Sequence, residues 1–156
     1  MDAAFSCRSP KALRTRLAAH EQSGIFQPDG QYIPGYAAAT ARAFAPYMYA
    51  RAVPKRLRAA PPIGMEVLRE MWVRRSDFRI DGNLKGFDFT RQLSRVRAPS
   101  LVVIGDRDMV SPASAEETRV ALPRATLVVM AECAHMMFVD QTERFNYLLE
   151  GFLGGL

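Results

Sequence analysis

Cysteine is scarce in this 156-residue chain: Cys7 and Cys133 are the only two. Two thiols cannot build a disulfide framework, and neither stands in a Cys-x-x-Cys pair, so reduced thiols in a cytoplasmic protein are expected. Histidine is equally sparse, with two, His20 and His135. They are far apart and no Cys or carboxylate cluster at ligand spacing accompanies them, so no metal site is expected. A phosphate-cradling glycine loop is also missing, and no cofactor is implied. No apolar run approaches the ~20 residues of a membrane span. The N-terminus lacks the ~7 to 15 apolar residues of a secretory signal. A soluble protein with no membrane partner is the expectation.

What is present is a chain of 49% hydrophobic residues, enough for a real core at a length typical of one domain. The net charge of +5 is unevenly spread: residues 1 to 99 carry 17 Lys and Arg against 8 Asp and Glu, and residues 100 to 156 carry 4 against 8. Basic runs such as Pro54-Lys55-Arg56-Leu57-Arg58 point toward nucleic acid or an anionic surface. The arginines are nevertheless dispersed among helical segments, without interleaved aromatics on which bases stack. A solvated helical surface is expected, and no nucleic-acid partner.

Leucines at 13 and 17 predict a helix from residue 11 to 20. Gly24, Pro28, Gly30, Pro34 and Gly35 then break the chain, and residues 23 to 35 read as an ordered loop that buries Ile25, Phe26, Tyr32 and Ile33. The alanine-rich stretch from 36 predicts a helix that ends near Ala45, because Pro46 removes a backbone donor. Ile63, Val67, Met71 and Trp72 recur at helical spacing as one apolar face. Asp81-Gly82-Asn83 reads as a turn, and the chain returns toward a sheet at Phe87-Asp88-Phe89.

Residues 101 to 104 form a continuous β-branched apolar run between Pro99 and Gly105, as expected of a strand buried on both faces of a parallel sheet. Ser111 and Pro112 open a helix through Leu122, with the hydroxyl as cap and proline in the first turn. A second buried strand spans 126 to 130. Asp140-Gln141-Thr142-Glu143 has the layout of a capping box, with Asp in place of Ser or Thr. Phe145, Leu148, Leu149 and Phe152 then make an apolar stripe on a C-terminal helix.

The chemistry lies in residues 99 to 138. An acid, Asp106 or Asp108, follows the first apolar run, and His135 follows the second in Glu-Cys-Ala-His-Met-Met-Phe. Reactive groups collect at the carboxyl ends of parallel strands. A histidine that takes a proton from a hydroxyl must be held in one tautomer, and a carboxylate from a separate strand can hold it. The nucleophile is the missing third member. Cys133 is too close in sequence to face His135 across a reacting bond and reads as a small buried side chain. Ser111 and Ser114 read as helix-start residues.

Strand, acid loop, helix, strand, histidine loop and final helix, in that order, resemble the C-terminal end of the α/β-hydrolase family, whose triad runs nucleophile, acid, histidine. The residues that carry the likeness are Asp88 and Leu93 leading to Pro99, the strand 101 to 104, Gly105, Asp108, Pro112 and His135. Within that family the run Asp77-Phe78-Arg79-Ile80-Asp81-Gly82-Asn83-Leu84-Lys85-Gly86-Phe87-Asp88 is similar to the proline iminopeptidase branch. The resemblance implies a partial α/β-hydrolase fold: a helical lid from 1 to 87, then the last two parallel strands and flanking helices from 88 to 156. It selects Asp108 as triad acid, three residues after Gly105, with His135 as base. Asp106 becomes a turn residue bonding nearby amides.

In that branch, carboxylates in the lid and beside the catalytic acid hold the substrate's α-amine. Asp77 stands where the lid carboxylate is expected, but Met109 occupies the position where the branch places a glutamate. The aromatics Phe44, Tyr47, Tyr49, Trp72 and Phe78 either line an apolar acyl or prolyl pocket or simply pack the lid. No Gly-x-Ser-x-Gly elbow occurs in the sequence, and no glycine-rich oxyanion turn. The expectation is therefore a serine-type hydrolase fragment acting on an amide or ester, a small molecule or peptide, inactive alone and completed by an upstream half. The alternative is a noncatalytic module that forms a homo-oligomer, or binds another polypeptide, through an open sheet edge.

Overall fold

The computed structural model describes residues 11–50, 64–71 and 80–156. Two compact units emerge: one comprises Met1–Phe44 and Pro54–Phe87, the other Ala45–Val53 and Asp88–Leu156.

Among the described residues of the first unit are helices α1 (Lys11–Ser23) and α3 (Met65–Met71) and the greater part of α2 (Pro34–Met48), whose last turn belongs to the second unit. The core of the first unit is Leu17, Ile25, Tyr36, Ala39 and Ala43, with Leu13, Phe26, Tyr32, Ile33 and Leu68 packed around it. The loop between α1 and α2 buries Ile25 and partly buries Phe26, Tyr32 and Ile33. Phe26 and Tyr32 pair across an antiparallel bridge and stack at 5.2 Å, and the Arg69 guanidinium lies 4.9 Å from the Phe26 ring centre. The turn Gln27 to Gly30 closes through a 2.9 Å bond, with Gly30 at φ +83, a conformation open to glycine.

Two expectations need correction in this part of the chain. Helix α2 does not end at Ala45 but runs through Pro46 to Met48. The proline falls in the last turn, so only one bond is forfeited, and the Tyr49 amide still reaches the Ala45 carbonyl at 3.2 Å. On α3 the covered residue is Leu68, whereas Val67 is 60% exposed and Met71 is exposed as well. Helical spacing defines a stripe but not which flank a neighbouring loop will cover. Ile63 and Trp72, the ends of that stripe, lie outside the described residues. Gly82 sits against the backbone of Glu70 and Met71, and the Asn83 and Leu84 amides donate to those two carbonyls at 3.0 Å.

The second unit is built on two parallel strands, β1 (Ser100–Gly105) and β2 (Ala125–Met130), in register from Ser100 opposite Ala125 to Gly105 opposite Met130. A short 3-10 helix, Thr90–Arg95, precedes β1, and α4 (Pro112–Ala121) links the strands and packs on both of them. Parallel strands require such a crossover. Ser111 caps α4 as the sequence predicts, accepting from the Ser114 amide, with proline in the first turn. Asp88 receives the Thr90 amide at 2.9 Å, and its bonds from Thr90 hold its carboxyl below the usual value.

The strands are not buried on both faces as expected. Ile104, Gly105 and Met130 are buried, but Val129 is 45% exposed, because a ten-residue α4 covers only part of the sheet. Met130, Cys133 and Met137 form the core, with Val103, Val128 and Phe145 against them. The one-turn helix α5 (Met137–Asp140) and the C-terminal helix α6 (Thr142–Gly154) complete the unit. Of the α6 stripe, Phe145, Leu148 and Phe152 are half-buried while Leu149 is exposed. The capping-box reading is also corrected. The N-cap of α6 is Gln141, with no side-chain cap bond, and the Asp140 carboxylate is used elsewhere.

Gly105 and Gly151 should respond in opposite directions to alanine. At 105 a Cβ would strike the Cys133 and Ala134 carbonyls, whereas at 151, inside α6, nothing stands in its way. Urea unfolding followed by circular dichroism should show Gly105→Ala destabilised by roughly 1–3 kcal/mol, and Gly151→Ala stabilised by roughly 0.5–1 kcal/mol.

Candidate active site

The end of β1 and the segment after β2 are laced together beyond the strand ladder. The Asp106 amide donates to the Met130 carbonyl at 3.0 Å and the Arg107 amide to the Cys133 carbonyl at 2.9 Å. In return the Cys133 amide donates to Asp106 Oδ1 at 3.2 Å. Asp106 is thus the amide-binding residue of the turn, although its partner lies across the sheet end rather than beside it in sequence. Glu132 takes the left-handed conformation, φ 58, an uncommon geometry for a residue with a side chain, and turns the chain out of β2.

This lacing places Asp108 and His135 together. His135 Nδ1 lies 3.0 Å from Asp108 Oδ1 and 3.2 Å from Oδ2. Asp108 Oδ1 also accepts the Val110 amide at 2.9 Å, a local turn that fixes the carboxylate. The acid side chain is 3% exposed and the imidazole 42%. An ionised carboxylate only accepts, so Nδ1 carries the hydrogen and Nε2 is left as the basic nitrogen. A ring held in that tautomer and reachable from solvent can accept a proton from a hydroxyl and return it to a leaving group.

The backbone of the histidine loop is held as firmly. The amides of His135 and Met136 donate to the Tyr47 and Met48 carbonyls, each at 2.9 Å, and the Ala134 amide donates to Asp140 Oδ2 at 2.9 Å. The sequence reading gave Tyr47, Met48 and Asp140 no role in holding this loop. Tyr47 is itself buried, which accords with packing rather than a pocket wall. Met109 is half-buried beside Asp108. Asp77, Trp72 and Phe78 lie outside the described residues. Cys133 is fully buried, and the Ser111 hydroxyl is engaged in capping α4, 3.0 Å from Ser114 Oγ. Among the described residues there is no group of three or more His, Cys, Asp or Glu able to hold a metal ion, and no helix long and apolar enough to cross a membrane.

No protein-family model matches the chain. Among solved structures, VinJ superposes with a TM-score of 0.79 at 23% identity, over 99% of this chain and 51% of that one. A proline iminopeptidase from Mycobacterium smegmatis superposes with a TM-score of 0.73 at 21% identity, over 97% and 50%. At this level of identity the likeness shows the fold, and the chain has a partial α/β-hydrolase fold.

Its sequence is similar to proteins named proline iminopeptidase. One from Heyndrickxia coagulans is 32% identical over 81 residues, 52% of this chain and 28% of that protein. One from Lactobacillus delbrueckii subsp. bulgaricus is 33% identical over 72 residues, 46% and 24%. The chain spans about half the length of the two solved structures, and the matched stretch about a quarter of the curated relatives.

The pairing of the two side chains has a spectroscopic consequence. In long-range proton–nitrogen spectra, the neutral His135 ring should carry its hydrogen on Nδ1, and Asp108→Ala should abolish that preference. A wild-type ring protonated mainly on Nε2 would show that Asp108 does not orient it.

Proposed function

We propose that the chain supplies the acid and the base of a serine-type α/β-hydrolase that cleaves an amide or ester in the manner of a proline iminopeptidase. The observation that carries this reading is the 3.0 Å bond from His135 Nδ1 to the buried Asp108. His135 Nε2 takes the proton of a serine hydroxyl as that oxygen attacks the carbonyl, and the imidazolium then protonates the leaving group. Asp108 stays ionised and stabilises the charged ring.

The serine and the oxyanion donors come from an upstream part of the fold that carries Gly-x-Ser-x-Gly. Residues 1 to 87 act as lid and 88 to 156 as core. Asp77, Met109 and Trp72 contact the substrate, and replacement of the branch's glutamate by Met109 favours substrates held less by their amine than by an apolar group. The chain works in the cytoplasm.

The test is hydrolysis of a p-nitrophenyl ester and of proline p-nitroanilide. The purified chain alone should give no turnover above its His135→Ala variant. Joined to an upstream hydrolase half that carries the elbow, it should turn over, and His135→Ala should lower kcat by roughly three orders of magnitude or more. Robust His135-dependent turnover by the chain alone would place the nucleophile inside these residues and overturn the reading.

A second reading rests on the incompletely covered sheet. Among the described residues it has two strands, so the outer edge of β1 is free to pair with another copy or another polypeptide. Light scattering separates the cases, since a monomer that persists at micromolar concentration contradicts a partner-seeking edge.

A further inference from the structure

Asp140 is a carboxylate with no place in the triad, yet it is 8% exposed and fully committed to backbone groups. Both of its oxygens accept the Ala50 amide, at 3.1 and 2.9 Å, and Oδ2 also accepts the Ala134 amide at 2.9 Å. Ala134 immediately precedes the histidine. Resting on the catalytic reading of His135, we infer that Asp140 is a positioning residue that fixes the base by clamping its loop to the chain around the C-terminal end of α2, residues 47 to 50.

The reason is geometric. Residues 133–136 present four consecutive amides, and every one has a fixed acceptor. Cys133 donates to Asp106 Oδ1, Ala134 to Asp140 Oδ2, His135 to the Tyr47 carbonyl and Met136 to the Met48 carbonyl. The last two acceptors belong to the segment that Asp140 also grips through the Ala50 amide. One side chain therefore ties the loop and its backbone receptor to each other.

Asp140 reaches this position because α5 is a single turn. The Asp140 amide returns to the Met136 carbonyl at 3.0 Å, which brings its carboxylate back over the residues preceding the histidine. A carboxylate suits the task because it only accepts, and all the groups it meets are donors. Removing it frees the Ala134 and Ala50 amides together. The loop then relaxes by tenths of an ångström, enough to lengthen a 3.0 Å imidazole–carboxylate bond beyond good geometry.

The experiment reads the His135 ring tautomer by long-range proton–nitrogen correlation in the intact chain at a pH where the ring is neutral. Wild type, Asp140→Ala and Asp140→Asn are compared. Amide spectra report the fold, and His20, in the first unit, serves as the control ring. The expected result is loss of the Nδ1–H form of His135 in Asp140→Ala, with His20 unchanged.

Asp140→Asn keeps one oxygen but turns an amide NH2 toward the Ala50 amide, and should show a mixture of tautomers. Should Asp140→Ala fail to give a native amide spectrum, Asp140→Asn decides alone by the same criterion. A His135 ring that stays in the Nδ1–H form in the folded variants overturns the positioning role while leaving the triad reading intact. A wild-type ring that lacks the Nδ1–H form overturns both.

Discussion

A carbonyl oxygen cannot come within van der Waals reach of a backbone carbon that bears a side chain pointing at it. At Gly105 the absence of a Cβ is what lets the carbonyls of Cys133 and Ala134 lie on the end of β1. That close approach brings the histidine loop down onto the acid loop, and the remaining contacts of the site follow from it. With the two loops in register, Arg107 and Cys133 exchange one backbone bond, Asp106 takes the Cys133 amide, and Asp108 meets His135 from 27 residues away in sequence. The glycine is thus part of the Asp108–His135 arrangement without contributing a side chain to it.

The site divides labour among three aspartates according to what each can reach. Asp106 and Asp140 bind only backbone amides and so fix where the histidine loop runs. Asp108 binds the imidazole and one amide and so fixes which ring nitrogen is basic. Burying an ionised carboxylate is costly unless donors surround it. Each buried oxygen here has at least one, which is why the acid can be shielded while the base stays open to solvent.

Much of the second unit was legible in the sequence because its signals are local. Continuous β-branched runs define β1 and β2, and Ser111 with Pro112 defines the start of α4. The pairing of Asp108 with His135 was legible through the order of elements and the Gly105 spacing, which resemble those of α/β-hydrolases. What was misread depends on distant partners. Asp140 has the look of a helix cap, but its acceptor capacity is taken by Ala50, 90 positions away. Tyr47 and Met48 act through carbonyl oxygens, which every residue has and no motif records. Pro46 was given too much weight because proline near a helix end costs only one bond. Val67 and Met71 of the apolar stripe on α3 are exposed, because periodicity says nothing of which neighbour covers a face.

The central claim is that the Asp108 carboxylate and the His135 imidazole interact directly, and a double-mutant cycle measures that term most directly. Stabilities of wild type, Asp108→Ala, His135→Ala and the double variant would be obtained from urea unfolding of the second unit. A direct bond predicts a coupling free energy of roughly 0.5–3 kcal/mol between the two sites. Effects that add to within about 0.3 kcal/mol would show that the two side chains do not engage each other, and would contradict the account.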